Sequence, residues 1–362
     1  MKDILDKHMI SALASGVFPG ASLLVAQNHK IVHFEHYGLK QISGKPVDDS
    51  TIFDLASLTK PLATSLSIMH LVQQGVVHLD QKLGAIFSKK IASDKSEITI
   101  RQLLCHQSGL PAHQPYFEQL IKAPRQNRSN ILLKMIMDEP LVYKPGNKTE
   151  YSDLGFMLLD ALIKRITGYR LDKFVLHHIY QPLGLNAPYF IDLFDPPAIE
   201  QEQFAATEKC PWRKKILVAE VHDDNAYVLG GICGHAGQFG SALDIYRLLD
   251  ILLGIYHDQP QHKKAQAVIN RKWLRRFFSV PNGAQRPLGF DIPTPSESSS
   301  GTFFSSNSVG HLGFTGTSFW MDLDRSIIII LLTNRVHPNR DNVKIRTFRP
   351  QIHNIIMQNL IR

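Results

Sequence analysis

Cysteine is scarce in this sequence. Three occur in 362 residues, Cys105, Cys210 and Cys233, and no two form a C-x-x-C pair. So sparse and odd a count argues against a disulfide scaffold and a thiolate zinc site. Long apolar runs are missing too. The longest strongly apolar run, "IIIILL" at 327–332, is far too short to span a bilayer. The opening "MKDILDKHMISALASG" has amphipathic helical spacing but is broken by Asp3, Asp6 and Lys7. It lacks the uninterrupted apolar centre of a signal peptide. A cytoplasmic location without stable membrane insertion is therefore expected. Charge is not concentrated either. The net charge is +8, from 40 Lys and Arg against 32 Asp and Glu, and the densest patches are the short "WRKK" at 212–215 and "RKWLRR" at 271–276. Scattered basic residues without a recognition motif favour solubility and predict no nucleic-acid partner. No internal repeat is visible.

What is present is an ordinary globular composition, 44% apolar and 20% charged, at a length that buries a sizeable core. Strand patterns lie at both ends. "ASLLVAQNHKIVHFEHYG" reads as two strands joined by a turn at Asn28-His29. Near the C-terminus, "HLGFTGTSFWMDLD" and "SIIIILLTNRV" read as successive strands joined near Asp324-Arg325, followed by an amphipathic helix over about 343–360. Between them, helices predominate from about 58 to 280. Their expected ends are Gly75, Gly109, Gly168 and Gly254, and Ser241 with Asp244 reads as a capping box. The stretch "GAQRPLGFDIPTPSESSSG" reads as a loop. The expected fold class is α+β. One antiparallel sheet, built from both chain ends (about 1–55 and 300–362), is flanked by the terminal helices. A mostly helical lobe (about 56–299) completes a single domain spanning 1–362. A cleft between lobe and sheet would admit both Ser57 and the strand at His311.

Three motifs carry chemistry. In "FDLASLTK", Ser57 precedes Lys60 by one helical turn, so both share a face. A serine hydroxyl is a weak nucleophile and needs a base or nearby cation. Alone, a Ser-x-x-Lys spacing is weak evidence, and a surface helix is the favoured explanation. In "KPGNKTEYSDLGF", Ser152 or Asp153 is a natural N-cap and Tyr151 a packing residue. Alternatively, a phenol beside a lysine ammonium has its anion stabilised, and then serves as a proton acceptor and donor. In "VGHLGFTGTSFW", glycines interrupt a strand, marking a bulge or a close approach by backbone or ligand.

Taken together and in this order, the motifs resemble those of the serine β-lactamase and penicillin-binding-protein superfamily. The nearer branch is that of class C β-lactamases, D-stereospecific peptidases and related esterases. "FPGASLLVAQ" resembles the opening strand of that branch, "LLCHQSGLP" its leucine-rich helix end, and "GGICGHAGQFGSALDIYRLL" its glycine-rich turn before a helix. The resemblance runs from about residue 17 to 360. It implies Ser57 as the acylated nucleophile, Lys60 and Tyr151 as proton carriers, and an oxyanion hole from the backbone N–H groups of Ser57 and Phe314. It implies no cofactor.

Two departures bear on substrate. His311-Leu312-Gly313 stands where β-lactamases carry Lys-Thr-Gly to hold the antibiotic's carboxylate. A histidine of ordinary pKa is mostly neutral at pH 7, and leucine has no hydroxyl. Asp153 replaces the usual asparagine of Tyr-x-Asn. A carboxylate near Lys60 keeps the ammonium charged, which favours Tyr151 as base and repels anionic substrates. His222, Asp223, Asp224 and Asn225, with His235, match no standard metal spacing. Asn225 is expected at the substrate rim with Asp153, His311 and Gly313, and no metal is expected. The reading is a serine hydrolase acting on an ester, amide or peptide of small size, esterase-like in preference. A β-lactamase or D-amino-acid peptidase is the alternative, and a non-catalytic scaffold or binding protein of the same fold the third possibility. The oligomeric state is open.

Overall fold

A computed structural model describes residues 1–87 and 94–361. The apolar run at 327–332 explains the architecture. It forms β10 (Ile327–Thr333), buried along its whole length at the centre of a five-stranded sheet. A strand apolar on both faces needs cover on both sides, and the chain supplies it. Ile327, Ile329 and Leu331 pack with Leu5 and Met9 of the N-terminal helix (Lys2–Ala14) and Ile352 and Ile356 of the C-terminal helix (Ile345–Leu360). Ile328, Ile330 and Leu332 join the larger core, which includes Ile245, Leu248 and Leu252 of the helix Ala242–Tyr256.

The other strands of this sheet are β1 (Gly20–Gln27), β2 (Lys30–Gly38), β8 (Ser308–Leu312) and β9 (Ser318–Asp322), in the order β2-β1-β10-β9-β8 and antiparallel throughout. The expected sheet from both chain ends, with terminal helices on one face, is therefore present. The β1–β2 turn falls at Asn28-His29, both at positive φ, 51° and 63°, as a two-residue hairpin of type I′ hand requires. Among the described residues, no helix is long and apolar enough to cross a membrane.

Several expected boundaries shift. "HLGFTGTSFWMDLD" is two strands, not one: β8 ends at Leu312 and the chain folds back over Gly313–Thr317 into β9. The helix expected to end at Gly109 stops at Leu104, where His106 takes a left-handed φ of 57°. The helix expected to end at Gly254 runs on to Tyr256. Gly254 is there for packing: a Cβ would lie 2.0 Å from Cδ2 of His262. The Ser241–Asp244 capping box is present, and Gly168 ends the helix Asp153–Thr167 at φ 76°. The mid-chain stretch also holds strands too short to read from pattern. These are β7 (Gln238–Gly240), which pairs with β3 (Phe53–Asp54) on one side and β4 (Tyr189–Phe190) on the other, and the hairpin of β5 (Lys209–Cys210) with β6 (Lys215–Ile216).

Candidate active site

The Ser57 segment is held from three sides. Ser57 lies in a short 3-10 turn, Ala56–Leu58, and Lys60 opens a widened π turn, Lys60–Ser65, that settles into α geometry over Leu66–Gln73. Ala56 sits at φ +46°, a left-handed conformation that costs a β-carbon residue roughly 1–2 kcal/mol. Asp54 offsets that cost. Its carboxylate accepts the Ala56 N–H at 2.8 Å and the His222 N–H at 2.6 Å. On the other side, Thr315 and Thr317 donate their hydroxyls to the Asp54 and Leu55 carbonyls, at 2.8 and 3.2 Å. The β8–β9 turn is thereby clamped against the Ser57 loop. Gly313 allows this approach, since a Cβ there would lie 2.0 Å from Thr317 Oγ1 and 2.7 Å from the Leu55 carbonyl oxygen. The close approach at this glycine is by the Thr317 side chain and the Leu55 backbone.

Lys60 is fully buried, and its ammonium spends three N–H groups on three acceptors. It donates to Ser57 Oγ at 2.9 Å, to Asp153 Oδ1 at 2.7 Å and to the His235 carbonyl at 3.1 Å. It also lies 4.7 Å from the ring centroid of Tyr151. Burial works against the charge, but the Asp153 carboxylate outweighs it and raises the Lys60 pKa above its ordinary value. Burial likewise opposes the Asp153 charge, and Lys60 and His113 hold that carboxyl far below its usual range. The ammonium–carboxylate pair expected from the sequence is in place.

Tyr151 differs from expectation. Burial, aided by Asp153, pushes its pKa up, and the opposing pull of Lys60 and the hydrogen bond to Ser57 do not bring it down into the working range. The phenol is protonated at rest. Its orientation comes from His106, whose ring lies 4.5 Å from it, centroid to centroid, and whose Nδ1 accepts the Ser152 N–H at 3.0 Å. Burial, reinforced by Arg286, keeps His106 neutral. Ser152 is the N-cap of the helix Asp153–Thr167, so the same residue that starts the helix fixes Tyr151 beside Lys60.

A cavity of about 380 Å³ opens over this group. Ser57, Tyr151, Asp153 and Phe314 line it together with His113 and Arg340. Among the described residues, the backbone N–H groups of Ser57 and Phe314 have no acceptor within the chain. Both are free to meet an oxyanion. His311 is buried behind Tyr151, ring centroids 6.0 Å apart, with Nδ1 on the Leu312 carbonyl at 2.8 Å. Burial pushes its pKa down to about 4, so it is neutral at pH 7.

Asn225 does not face the cavity. Its side chain is buried and spent on backbone: Oδ1 accepts the Phe117 N–H and Nδ2 donates to the Gln114 carbonyl, both at 2.8 Å. It anchors the segment at 114–117 instead of meeting a substrate. Its neighbours do line the cavity, because Asp223 caps the short helix Asp224–Val228 and turns toward His235, 2.9 Å from its Nε2. Asp153, Asp223 and His235 present ligand atoms within 4.8 Å of one another. That group already contains cations. Lys60 pairs with the Asp153 carboxylate, and Asp223 overcomes burial to hold His235 protonated well above its ordinary pKa. Asp153 and Asp223 already have partners within the chain, the Lys60 ammonium and His235 Nε2.

Sequence reasoning missed His106, His113, the His235 carbonyl and Arg340. "LLCHQSGLP" contained the signal for His106. Arg340 had none, because it reaches the rim from the far end of the chain through Glu208, with both carboxylate oxygens 2.9 Å from its Nε.

The family model described as Beta-lactamase matches residues 5–353. An Escherichia coli K12 protein with the provisional name D-alanyl-D-alanine carboxypeptidase is 31% identical over 355 residues, covering 88% of this chain and 79% of its own. The N-acetylmuramyl-L-alanine amidase of Bacillus subtilis strain 168 is 30% identical over 367 residues, covering 92% of this chain and 80% of its own. The solved structure of EstCE1, a hydrolase with promiscuous acyltransferase activity, superposes with a TM-score of 0.72 at 19% identity, over 96% of this chain and 97% of that one. With a Ser-x-x-Lys turn, a facing tyrosine and a late edge strand on one sheet, and a family match along nearly its whole length, the chain belongs to the Beta-lactamase family, within the serine β-lactamase and penicillin-binding-protein-like superfamily.

Proposed function

We propose that the protein is a serine hydrolase that forms an acyl-enzyme on Ser57 from an ester or a small amide. The observation that carries this reading is the buried Lys60 ammonium 2.9 Å from Ser57 Oγ and 4.7 Å from the Tyr151 ring, with Ser57 and Tyr151 lining the cavity. Ser57 Oγ attacks the substrate carbonyl carbon. Its proton passes to the Tyr151 oxygen as the Tyr151 proton passes to the leaving group. This relay needs no phenolate at rest, in keeping with the raised Tyr151 pKa. Lys60 stays charged throughout and stabilises the developing negative charge on Ser57 and Tyr151. The Ser57 and Phe314 N–H groups hold the carbonyl oxygen as it becomes an oxyanion. Water then attacks the ester on Ser57, and the relay runs in reverse to release the acid.

A second reading, an amide-cleaving activity on wall-type peptides, is favoured by the names of the relatives at 30–31% identity. The ionic rim of Asp223, Asp224 and Arg340 suits a charged peptide better than a plain ester. The deciding experiment is one panel of aryl esters, D-alanyl peptides, muramyl peptides and β-lactams against purified protein, with a fluorophosphonate probe in parallel. No turnover and no probe adduct would mean a non-catalytic protein and end the proposal.

A further inference from the structure

Histidines dispersed in the sequence converge on the far side of the helix Ala242–Tyr256. His29 lies in the β1–β2 turn, Asp250 in the middle of that helix and His262 in the 3-10 turn Pro260–His262 that follows it. We propose that His29, Asp250 and His262 form a site for one borderline divalent transition-metal ion, of the Zn²⁺ or Co²⁺ class, which ties the hairpin turn to the helix.

One ligand atom from each residue lies within 4.8 Å of the other two. His29 Nδ1 is 2.8 Å from Asp250 Oδ1, and the rings of His29 and His262 are 6.0 Å apart at 34°. An ion with bonds of about 2.0–2.2 Å sets tetrahedral ligand atoms roughly 3.3–3.6 Å apart, so His29 Nδ1 and Asp250 Oδ1 must open slightly and the wider spacing within the group must close, movements that side-chain rotation supplies. Two imidazoles and a carboxylate select Zn²⁺, Co²⁺ or Ni²⁺ over Mg²⁺ and Ca²⁺, which prefer all-oxygen ligands.

The surroundings hold the ligands in position. Tyr246 donates its hydroxyl to the His29 carbonyl at 3.2 Å, which fixes the turn. The His262 ring packs where a side chain at Gly254 would collide with it. The Gln259 side-chain amide is 2.6 Å from His29 Nε2. When an ion takes His29 Nδ1 in place of the proton shared with Asp250, the ring changes tautomer: its one proton moves through solvent to Nε2, with none released overall. Gln259 then presents its carbonyl to Nε2–H, the outer partner that metal-bound histidines usually have. All three ligands are half-buried, so the ion has an entry path and an open position for water.

The test uses the full chain, stripped with a chelator and dialysed. Co²⁺ is titrated by its visible absorption and Zn²⁺ by calorimetry, with melting curves alongside. One ion per chain is expected, with a higher Tm when Zn²⁺ is present. His262→Gln and Asp250→Asn should each weaken binding at least about tenfold and abolish the Tm gain, with unchanged circular dichroism. His235→Gln, in the active-site cluster, should leave the affinity unaltered. Absence of binding by the wild-type chain overturns the proposal whatever the variants do. So does an affinity that both variants leave intact, or one that His235→Gln removes.

Discussion

Asp153 accepts a hydrogen bond from the Lys60 ammonium at 2.7 Å, the lysine being fully buried and the aspartate side chain only 18% exposed. Two opposite charges removed from water depend on each other. The Asp153 pKa is depressed, so its contribution to stability is present above an unfolded pKa near 3.9 and is lost as pH falls through the folded value. The Lys60 pKa is raised, so its contribution is present below about 10.4 and is lost as pH rises through the folded value. Between these limits the pair is intact. Asp153→Ala strands a buried ammonium and should cost about 3–5 kcal/mol in urea unfolding. Lys60→Met with Asp153→Leu, which removes both charges, should recover most of that loss. If Asp153→Ala unfolds at the wild-type midpoint, Lys60 has another counter-charge.

Ser57→Ala should abolish turnover and leave the fold intact, since the half-buried hydroxyl adds little to packing. After fluorophosphonate treatment of the wild type, mass spectrometry should find one adduct, on the peptide containing residues 53–60. A label on a different serine sinks the assignment.

Tyr151→Phe keeps the ring that packs on His106 and Lys60 but removes the relay oxygen. Acylation should slow by roughly 100-fold or more, the usual scale for losing a proton carrier. The melting temperature should barely move. A near-normal kcat in this variant would make Lys60 the base and require it to lose its proton despite Asp153.

The sheet was legible because its central strands are apolar on both faces and the hairpin carries its own turn signal at Asn28-His29. Ser57, Lys60 and Tyr151 were singled out because three motifs, each ambiguous alone, occur together in an order that resembles a known superfamily. Long-range contacts left no such trace. Arg340 reaches the rim only through Glu208, and His29 meets His262 only because a helix brings them together. Asn225 failed as a substrate contact for the opposite reason. A polar residue in a loop beside a cleft reads as a ligand group, yet its amide satisfies the backbone at 114–117, a demand that no local pattern announces. Tyr151 shows the same limit in energy: the nearby cation was readable, but the burial that outweighs it was not.

Buried neutral histidines set the acid limit. Burial lowers His311 to about 4 and His353 to about 3, and it carries His106 well below its ordinary value. The unfolded chain takes up these protons near pH 6.5 and the folded chain does not. Stability should therefore rise with pH between about 4 and 6.5, His311 alone contributing on the order of 3 kcal/mol across that window. His235 acts in the opposite sense, its contribution present below pH 6.5 and lost as pH rises through its elevated folded pKa. Urea unfolding at a series of pH values checks the slope, and His353→Gln should flatten it. A stability that does not change from pH 4 to 6.5 would refute the burial argument.

Substrate preference turns on the same neutral histidine. With His311 uncharged and Leu312 lacking a hydroxyl, β8 offers no cation where the resemblance places a β-lactam carboxylate. Short-chain aryl esters should be hydrolysed, and penicillins and cephalosporins barely or not at all. His311→Lys with Leu312→Thr should improve binding of a carboxylated β-lactam by about 1–3 kcal/mol, the scale of a hydrogen bond to a charged group. The gain should shrink in high salt to the extent that the contact is exposed. Two features oppose it: Asp153 repels the anion, and a lysine at the buried position 311 pays for desolvation. A cephalosporin turned over by the wild type with a kcat/KM above its best ester would overturn the preference. Arg340 would then be the group to examine, because its guanidinium lines the cavity while tied to Glu208 and Asp224. Arg340→Gln should in that case raise KM for the cephalosporin and leave KM for a neutral ester unchanged.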